Sequence, residues 1–362
     1  MSERILSSPH KIEAIDQSEF TALMEKYYGL TKKCHLVVGV SGGADSLALC
    51  LLADEWGKKY DVQITAITVN HGLRKEAEAE AQQVNFWLRY RGIRHHVIRI
   101  NELQPVNGLQ AIARRWRFSA LDSWCRENSA NAVLLAHTIE DQAETICMRV
   151  LADTGPEGLS GMRHRTRVAG LTVIRPLLEF SKVRLIATLI RFDQKWLEDP
   201  SNDDTKFTRV KLRKLEGALQ MVGLDKHELS RLSIGMGKLR DIFDHFSYDF
   251  MSQNGGVFAV GVSWMKAVKL DNLPDQFAEL LITRLLLALG GGQFPPRKHK
   301  VRNLRAALRR NKTMTITLGG CIIEKSSDGI IWIYREYLRN ALPVLVAPQR
   351  VVRWDNRFEI CQ

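Results

Sequence analysis

The residues Ser41-Gly42-Gly43-Ala44-Asp45-Ser46 place two glycines, two hydroxyls and a carboxylate within one short turn. Glycine lets a backbone approach a phosphate closely. Ser41 and Ser46 add donors, and Asp45 can hold Mg²⁺ against phosphate oxygens. The segment lacks the Gly-Lys-Ser/Thr of a Walker A loop and the spacing of a dinucleotide fingerprint. Such a turn grips an anion best between a strand and a helix, because a helix N-terminus presents unpaired N–H groups and a partial positive charge. Both elements are expected here: Leu36–Val40 reads as a strand and Leu47 to Trp56 as a helix. An ordinary glycine-rich turn shares these ingredients, so the other clusters in the chain decide the reading.

Asn70-His71-Gly72-Leu73-Arg74 ends a second apolar run, where His71 and Arg74 can contact phosphate or base. A third cluster holds Arg114, Arg115 and Arg117. Arg114 and Arg117 lie three apart on a helix and can bind a carboxylate or a polyanion. His137-Thr138-Ile139-Glu140-Asp141 follows a fourth apolar run; Asp141 and Glu144, spaced i and i+3, can converge on a metal or an ammonium. Solvated faces and helix-dipole acids are the plainer readings of the last two clusters. Arg297 to Lys312 carries eight Lys/Arg and no acid, with Arg302, Arg305 and Arg309 on one helical face, a pattern suited to phosphate backbone.

The elements that must position these residues alternate. Strand-like runs at Leu36–Val40, Val62–Val69, His96–Ile100, Ala132–Ala136 and Leu171–Ile174 are separated by helical patterns at 44–56, 75–91, 109–127 and 139–151. This predicts βαβ units in an α/β fold, a doubly wound parallel five-stranded sheet of order 3-2-1-4-5. Ligands then bind beyond the strand ends where the order reverses, so the 41–46 and 137–144 clusters should share one crevice. A helix is expected over 179–196, and a strand pair at Thr313–Leu318 and Ile330–Tyr334. The domain boundaries expected are an N-terminal helical extension (1–30), the α/β domain (31–216), a helical region (217–285) and a small basic α/β region (286–362). The chain stops at Gln362 just after a strand-like run, which suggests a shortened C-terminal region.

Net charge is +12 and the pI near 9.5, which favours a polyanionic partner. The six cysteines are scattered without C-x-x-C or metal spacing, so reduced cytoplasmic thiols are expected. No run reaches a membrane span and no secretory leader is evident, so no membrane partner is expected.

These motifs occur in a familiar order. SGGADS resembles the loop of the N-type ATP pyrophosphatases, the PP-loop superfamily. The whole set resembles the bacterial tRNA(Ile)-lysidine synthases. It comprises residues 41–46, 71–74, 113–118 and 141–145, then Gly158-Leu159-Ser160-Gly161-Met162, Arg175-Pro176-Leu177-Leu178 and Glu198-Asp199-Pro200-Ser201-Asn202. Thr317–Cys321 and Tyr334–Glu336 look like that family's tRNA-binding end. The chain departs from the family pattern at Thr138, Glu140 and Val210, which weakens a site role for those positions.

The resemblance implies an adenine nucleotide alpha hydrolase-like fold and a ligase using ATP and Mg²⁺. Its substrates would be L-lysine and CAU-anticodon isoleucine tRNA, and its products lysidine, AMP and pyrophosphate. It implies ATP contacts from Ser41, Gly42, Gly43, Ala44, Asp45, Ser46, His71, Arg74 and His137, with Asp45 supporting the metal. Asp141 and Glu144 would bind and help deprotonate the lysine ammonium, and Arg114 would orient the lysine carboxylate or the phosphates. Arg297, Lys298, Lys300, Arg302, Arg305 and Arg309 would hold tRNA. A homodimer is compatible with the sequence. The rival readings are a tRNA thiolation enzyme of the same superfamily, an amidating synthetase and a non-catalytic RNA-binding protein. Thiolation often uses paired or cluster-binding cysteines that are missing here. An amidating synthetase has no need of a basic RNA face, and the intact loop and paired acids weigh against a non-catalytic protein.

Overall fold

A computed structural model describes residues 12–29, 34–70, 72, 76–100, 109–152, 154–168, 170–198, 212, 217–292, 295–336, 352–354 and 358–360. It divides into two compact units, residues 1–240 and 241–362.

The first unit opens with α1 (Gln17–Tyr27), started by a capping box between Asp16 and Glu19. There follow β1 (His35–Gly39), α2 (Ala44–Tyr60), β2 (Gln63–Asn70), α3 (Ala77–Tyr90), β3 (Arg94–Arg99), α4 (Leu109–Glu127), β4 (Ala132–Leu134) and α5 (Ile139–Leu151). The short α6 (Pro156–Leu159) leads to β5 (Arg165–Val168), β6 (Leu171–Ile174) and α7 (Lys182–Arg191). The sheet order is β3-β2-β1-β4-β6-β5. The five strands expected from sequence are parallel in the order expected; the sixth, β5, is antiparallel and forms the edge. β5 escaped the sequence reading because its Arg-Thr-Arg-Val run presents no continuous apolar signal.

Alternation along the buried strands sends side chains to two helical layers. Leu36, Val38, Ala66, Leu134 and Ile174 join Leu47, Leu52 and Trp56 of α2 and Leu185 of α7 on one face. Val37, Ile67, Val133 and Val173 meet Phe118 and Leu121 of α4 on the other. α2 is buried almost all round from Ser46 to Ala53, which explains why its sequence shows an apolar run rather than one stripe. The helix expected over 179–196 is shorter, because the backbone is extended at Ser181 before its start and left-handed at Asp193 after its end.

The second unit contains the C-terminal part of α8 (Lys226–Asn254), then β7 (Gly255–Phe258), β8 (Val262–Lys266), α9 (Ala267–Asp271), α10 (Asp275–Gly290), α11 (Lys298–Arg310), β9 (Met314–Leu318), β10 (Cys321–Lys325) and β11 (Ile330–Arg335). A two-stranded ladder pairs β12 (Val352–Trp354) with β13 (Phe358–Ile360). The five-stranded sheet runs β7-β8-β11-β10-β9. Two expectations change here. β9 and β11 are not a pair, because β10 lies between them. The expected division at 285/286 also dissolves, since β8 pairs with β11 across it. Ile323, Ile331 and Ile333 turn inward against Leu281, Leu285 and Leu304, while the residues between them face outward. Gly319 and Gly320 both have positive φ, as the tight β9–β10 turn requires, and a Cβ on nearby Gly290 would collide with the Gly319 carbonyl.

Candidate active site

Residues 41–46 leave the C-terminal end of β1, the strand beside which the sheet order reverses. Gly43 is the N-cap of α2 and offers no side chain to the first-turn N–H groups, which leaves them to a ligand. The loop is held from within: Ser46 Oγ donates to the Gly43 carbonyl at 2.9 Å and accepts from the Ser41 N–H at 3.1 Å. Gly42 sits at φ +90°, and its carbonyl accepts from Leu197 N–H at 2.9 Å.

Gly42→Ala is expected to strain the loop. Its Cβ would approach Leu197 Cδ1 to 2.7 Å and Val84 Cγ2 to 2.9 Å. Those methyls can yield, but the positive φ cannot be relieved without moving the loop. A cost of about 1–3 kcal/mol and a rise of tenfold or more in KM for ATP should appear in thermal unfolding and steady-state kinetics.

The second cluster leaves β4. Thr138 is the fully buried N-cap of α5 and forms a capping box with Asp141. The Thr138 N–H donates to Asp141 Oδ2 at 2.9 Å, and the Thr138 hydroxyl lies 3.2 Å from the same oxygen. The departure from the family pattern at 138 therefore has a structural role. Glu140 has one too: it accepts from the Lys182 N–H at 3.1 Å and from Lys226 Nζ at 2.7 Å, fastening the starts of α7 and α8.

The two clusters meet at a residue that the motif reading passed over. Lys182 Nζ lies 3.7 Å from Asp45 and 3.9 Å from Asp141. Its signal was its place, four residues after Arg-Pro-Leu-Leu and next to the cap Ser181. Burial chiefly pushes the Asp45 carboxyl up to about 6; Asp141 and Glu140 add to the rise, and Lys182 opposes it. Glu144 is buried one turn along α5 from Asp141. His137 occupies the turn between β4 and α5, half-buried. His71 and Arg74 lie outside the described residues, as does Val210.

Gln142 explains the Gly158–Met162 motif. It accepts from the Met162 N–H at 2.8 Å and donates to the Met162 carbonyl at 3.1 Å and to Ser233 at 2.9 Å. Arg149 donates to the carbonyls of Gly158 and Gly161, and Arg240 to the Ser160 hydroxyl. The segment is thereby clamped to α5.

Arg114 is exposed on α4, its guanidinium 5.1 Å from the Phe118 ring centre. Arg175 is buried and donates to the Arg163 carbonyl at 3.0 Å. Burial, with Arg114 as a lesser cause, lowers Arg175 to about 10, and the same two causes lower Arg117. Arg114 thus acts electrostatically on both Arg117 and Arg175.

A PP-loop domain family matches residues 12–216. The tRNA(Ile)-lysidine synthase of Ruegeria pomeroyi is 33% identical over 89% of this chain and 75% of its own length. That of Bradyrhizobium diazoefficiens is 36% identical over 75% of this chain and 78% of its own. The chain belongs to the tRNA(Ile)-lysidine synthase family of PP-loop proteins. Among solved structures, a U34-tRNA thiolase from Methanococcus maripaludis with its [4Fe-4S] cluster aligns with TM-score 0.51 and 18% identity, over 61% of this chain and 78% of that one. That likeness concerns the fold alone. As that assignment requires, the PP-loop domain of residues 12–216 binds ATP.

The basic helix α11 of this family member exposes only part of its charge. Arg297, Lys298, Lys300, Arg302, Arg309 and Arg310 are exposed. Arg305 is not: it is 2% exposed, pairs with Asp271 at 2.5 Å and donates to the Leu270 carbonyl at 2.8 Å. The expectation that Arg305 contacts tRNA is corrected accordingly; its place on the inner face beside Leu304 and Leu308 commits it to the core. Arg309 is half committed, pairing with Asp275 at 2.7 Å. Arg305→Ala should destabilise the second unit by about 2–4 kcal/mol in thermal unfolding, by stripping Asp271 of its buried partner, while RNA affinity of the folded protein stays within twofold.

Proposed function

We propose that the protein joins lysine to C2 of the wobble cytidine of CAU-anticodon isoleucine tRNA, in the cytoplasm, at the expense of ATP. The cytosine C2 oxygen attacks the α-phosphorus of ATP, and the bond to pyrophosphate breaks. The neutral ε-amine of lysine then attacks C2, the C2–O bond breaks, AMP leaves with the bonding electrons and the nitrogen loses its proton.

The observation that carries this reading is the convergence of Asp45 and Asp141, from two separate strand ends, on one ammonium, that of Lys182. A site that already holds one amine between carboxylates suits an amine substrate. In this reading the open N-terminus of α2 and residues 41–46 hold the departing pyrophosphate. Asp141 and Glu144 bind the lysine ammonium and accept its proton. Arg114 orients the lysine carboxylate or the phosphates. Exposed Arg297, Lys298, Lys300, Arg302 and Arg309 hold the tRNA body.

The carboxylates of Asp45 and Asp141 also fit Mg²⁺, a hard cation that takes few protein oxygens and completes its shell with phosphate and water. Bound there, it would neutralise charge as pyrophosphate departs. Sulfur chemistry fits less well. Cys50 and Cys125 are buried, and burial pushes their thiols up, Cys125 to about 12, away from the thiolate that sulfur transfer needs.

The test is incorporation of labelled lysine into a CAU-anticodon isoleucine tRNA transcript with ATP and Mg²⁺, following pyrophosphate and AMP. Lysine incorporation matched by AMP release is expected. Pyrophosphate release without lysine incorporation would move the nucleophile to sulfur or ammonia. No turnover at all would favour an RNA-binding protein without catalysis.

A further inference from the structure

The hairpin that edges the catalytic sheet carries arginines that the reaction above does not use. Arg165 and Arg167 alternate along β5, so both side chains leave the same face of the strand, about 6.6 Å apart. Arg163 joins them in lining a groove of about 560 Å³, together with Thr172. His164 is held by other partners. Its ring stacks on Tyr27 at 3.7 Å, its Nδ1 lies 3.0 Å from the Arg175 carbonyl, and its Nε2 lies 3.3 Å from Glu179. The lead into the hairpin is therefore tied down.

Several arginines of the first unit are already engaged. Arg149, Arg175 and Arg184 are committed to carbonyls or carboxylates. Arg165 and Arg167 are exposed, and among the described residues neither guanidinium takes part in an ion pair or hydrogen bond. An edge strand does need charge to deter pairing with another chain. Edge protection alone, however, does not call for the two exposed guanidiniums of Arg165 and Arg167 opening on one groove, where they repel each other until an anion arrives.

Position gives the anion its class. β5 runs antiparallel to β6, and Arg165 pairs with Ile174, the last residue of β6, at the strand end that faces the crevice. Arg175 follows directly. Positive charge thus runs from the crevice outward along the hairpin, over a length suited to a chain of phosphates rather than to one.

We propose that the row Arg163–Arg165–Arg167 is a docking surface for RNA phosphate backbone, holding the strand beside the reacting nucleotide as it enters the crevice. The proposal rests on the reading of the substrate as RNA, and its test is independent of lysine transfer.

The test compares Arg165→Gln/Arg167→Gln and Arg165→Lys/Arg167→Lys in the full chain. Both positions are exposed, so thermal unfolding should match the wild type. Affinity for the CAU-anticodon isoleucine tRNA transcript is measured across a salt series. The glutamine pair should bind about tenfold more weakly near physiological salt, and its slope of log affinity against log salt should be shallower by about 1.5–2. KM for tRNA should rise while kcat and KM for ATP hold. The lysine pair should recover most of the slope. An unchanged affinity and slope in the glutamine pair would overturn the proposal. So would an equal loss in the lysine pair, or a raised KM for ATP with RNA affinity intact, which would assign the groove to free nucleotide. Because binding is read without turnover, failure of the wild type to incorporate lysine would strike the ligase reading alone.

Discussion

Asp45→Asn is expected to raise the melting temperature of the protein while cutting ATP turnover by about 100- to 1,000-fold. Both effects follow from one environment. The Asp45 carboxyl, buried and facing Asp141 and Glu140, titrates near 6 against an ordinary 3.8. Between those values the folded protein keeps a proton that the unfolded chain has released. Stability therefore falls as pH rises through that window, and the full penalty stands above pH 6. A shift of this size corresponds to about 3 kcal/mol, with the opposing Lys182 contact already included. Asparagine removes the penalty, so the gain should be present at pH 7.5 and vanish below about pH 4. Activity has the opposite dependence, because only the ionised carboxylate can hold a cation against phosphate. Wild-type kcat/KM for ATP should fall as pH drops through about 6. Thermal unfolding at two pH values and a pyrophosphate-release assay check both halves. A variant that is less stable at neutral pH, or one that turns over normally, would remove Asp45 from this role.

Asp141→Asn is expected to separate the two half-reactions. Lysine incorporation should fall by about 10²- to 10⁴-fold, since an amide neither attracts an ammonium nor accepts its proton. Pyrophosphate release should remain within a few-fold. The fold should survive, because an asparagine oxygen can still accept from the Thr138 N–H that Asp141 caps at 2.9 Å, at a cost below about 1 kcal/mol. The assay follows both products from one reaction mixture. Normal lysine incorporation would sink the assignment. Equal loss of both products would move Asp141 to the adenylation step and leave Glu144 as the amine's partner.

The contrast between these carboxylates shows how one short distance supports different tasks. Lys182 reaches both, yet Asp141 is already engaged by its own helix cap, whereas Asp45 meets mainly desolvation. A carboxylate held by a cap is oriented; one held in a buried site against other acids is primed to gain a cation.

Local sequence determined the parts of this protein that depend on neighbours in the chain. The apolar runs and the turns between them specify five parallel strands and their helices, because periodicity and turn chemistry are short-range properties. The glycine-serine-aspartate turn after β1 was legible for the same reason, as was the pairing of Asp141 with the start of α5. Tertiary structure decided what depends on which surfaces meet. It placed Lys182 between carboxylates from two strand ends, an arrangement no spacing in the chain encodes. It gave Thr138 and Glu140 structural work where the motif comparison had only marked departures. It also buried Arg305 while leaving Arg302 exposed on the same basic helix, because amphipathic rotation against Leu270 and Asp271, not charge, settles which arginines face solvent. The edge strand β5 lay beyond the sequence reading too: three of its four residues are arginine or threonine, and only the backbone ladder to β6 makes it a strand.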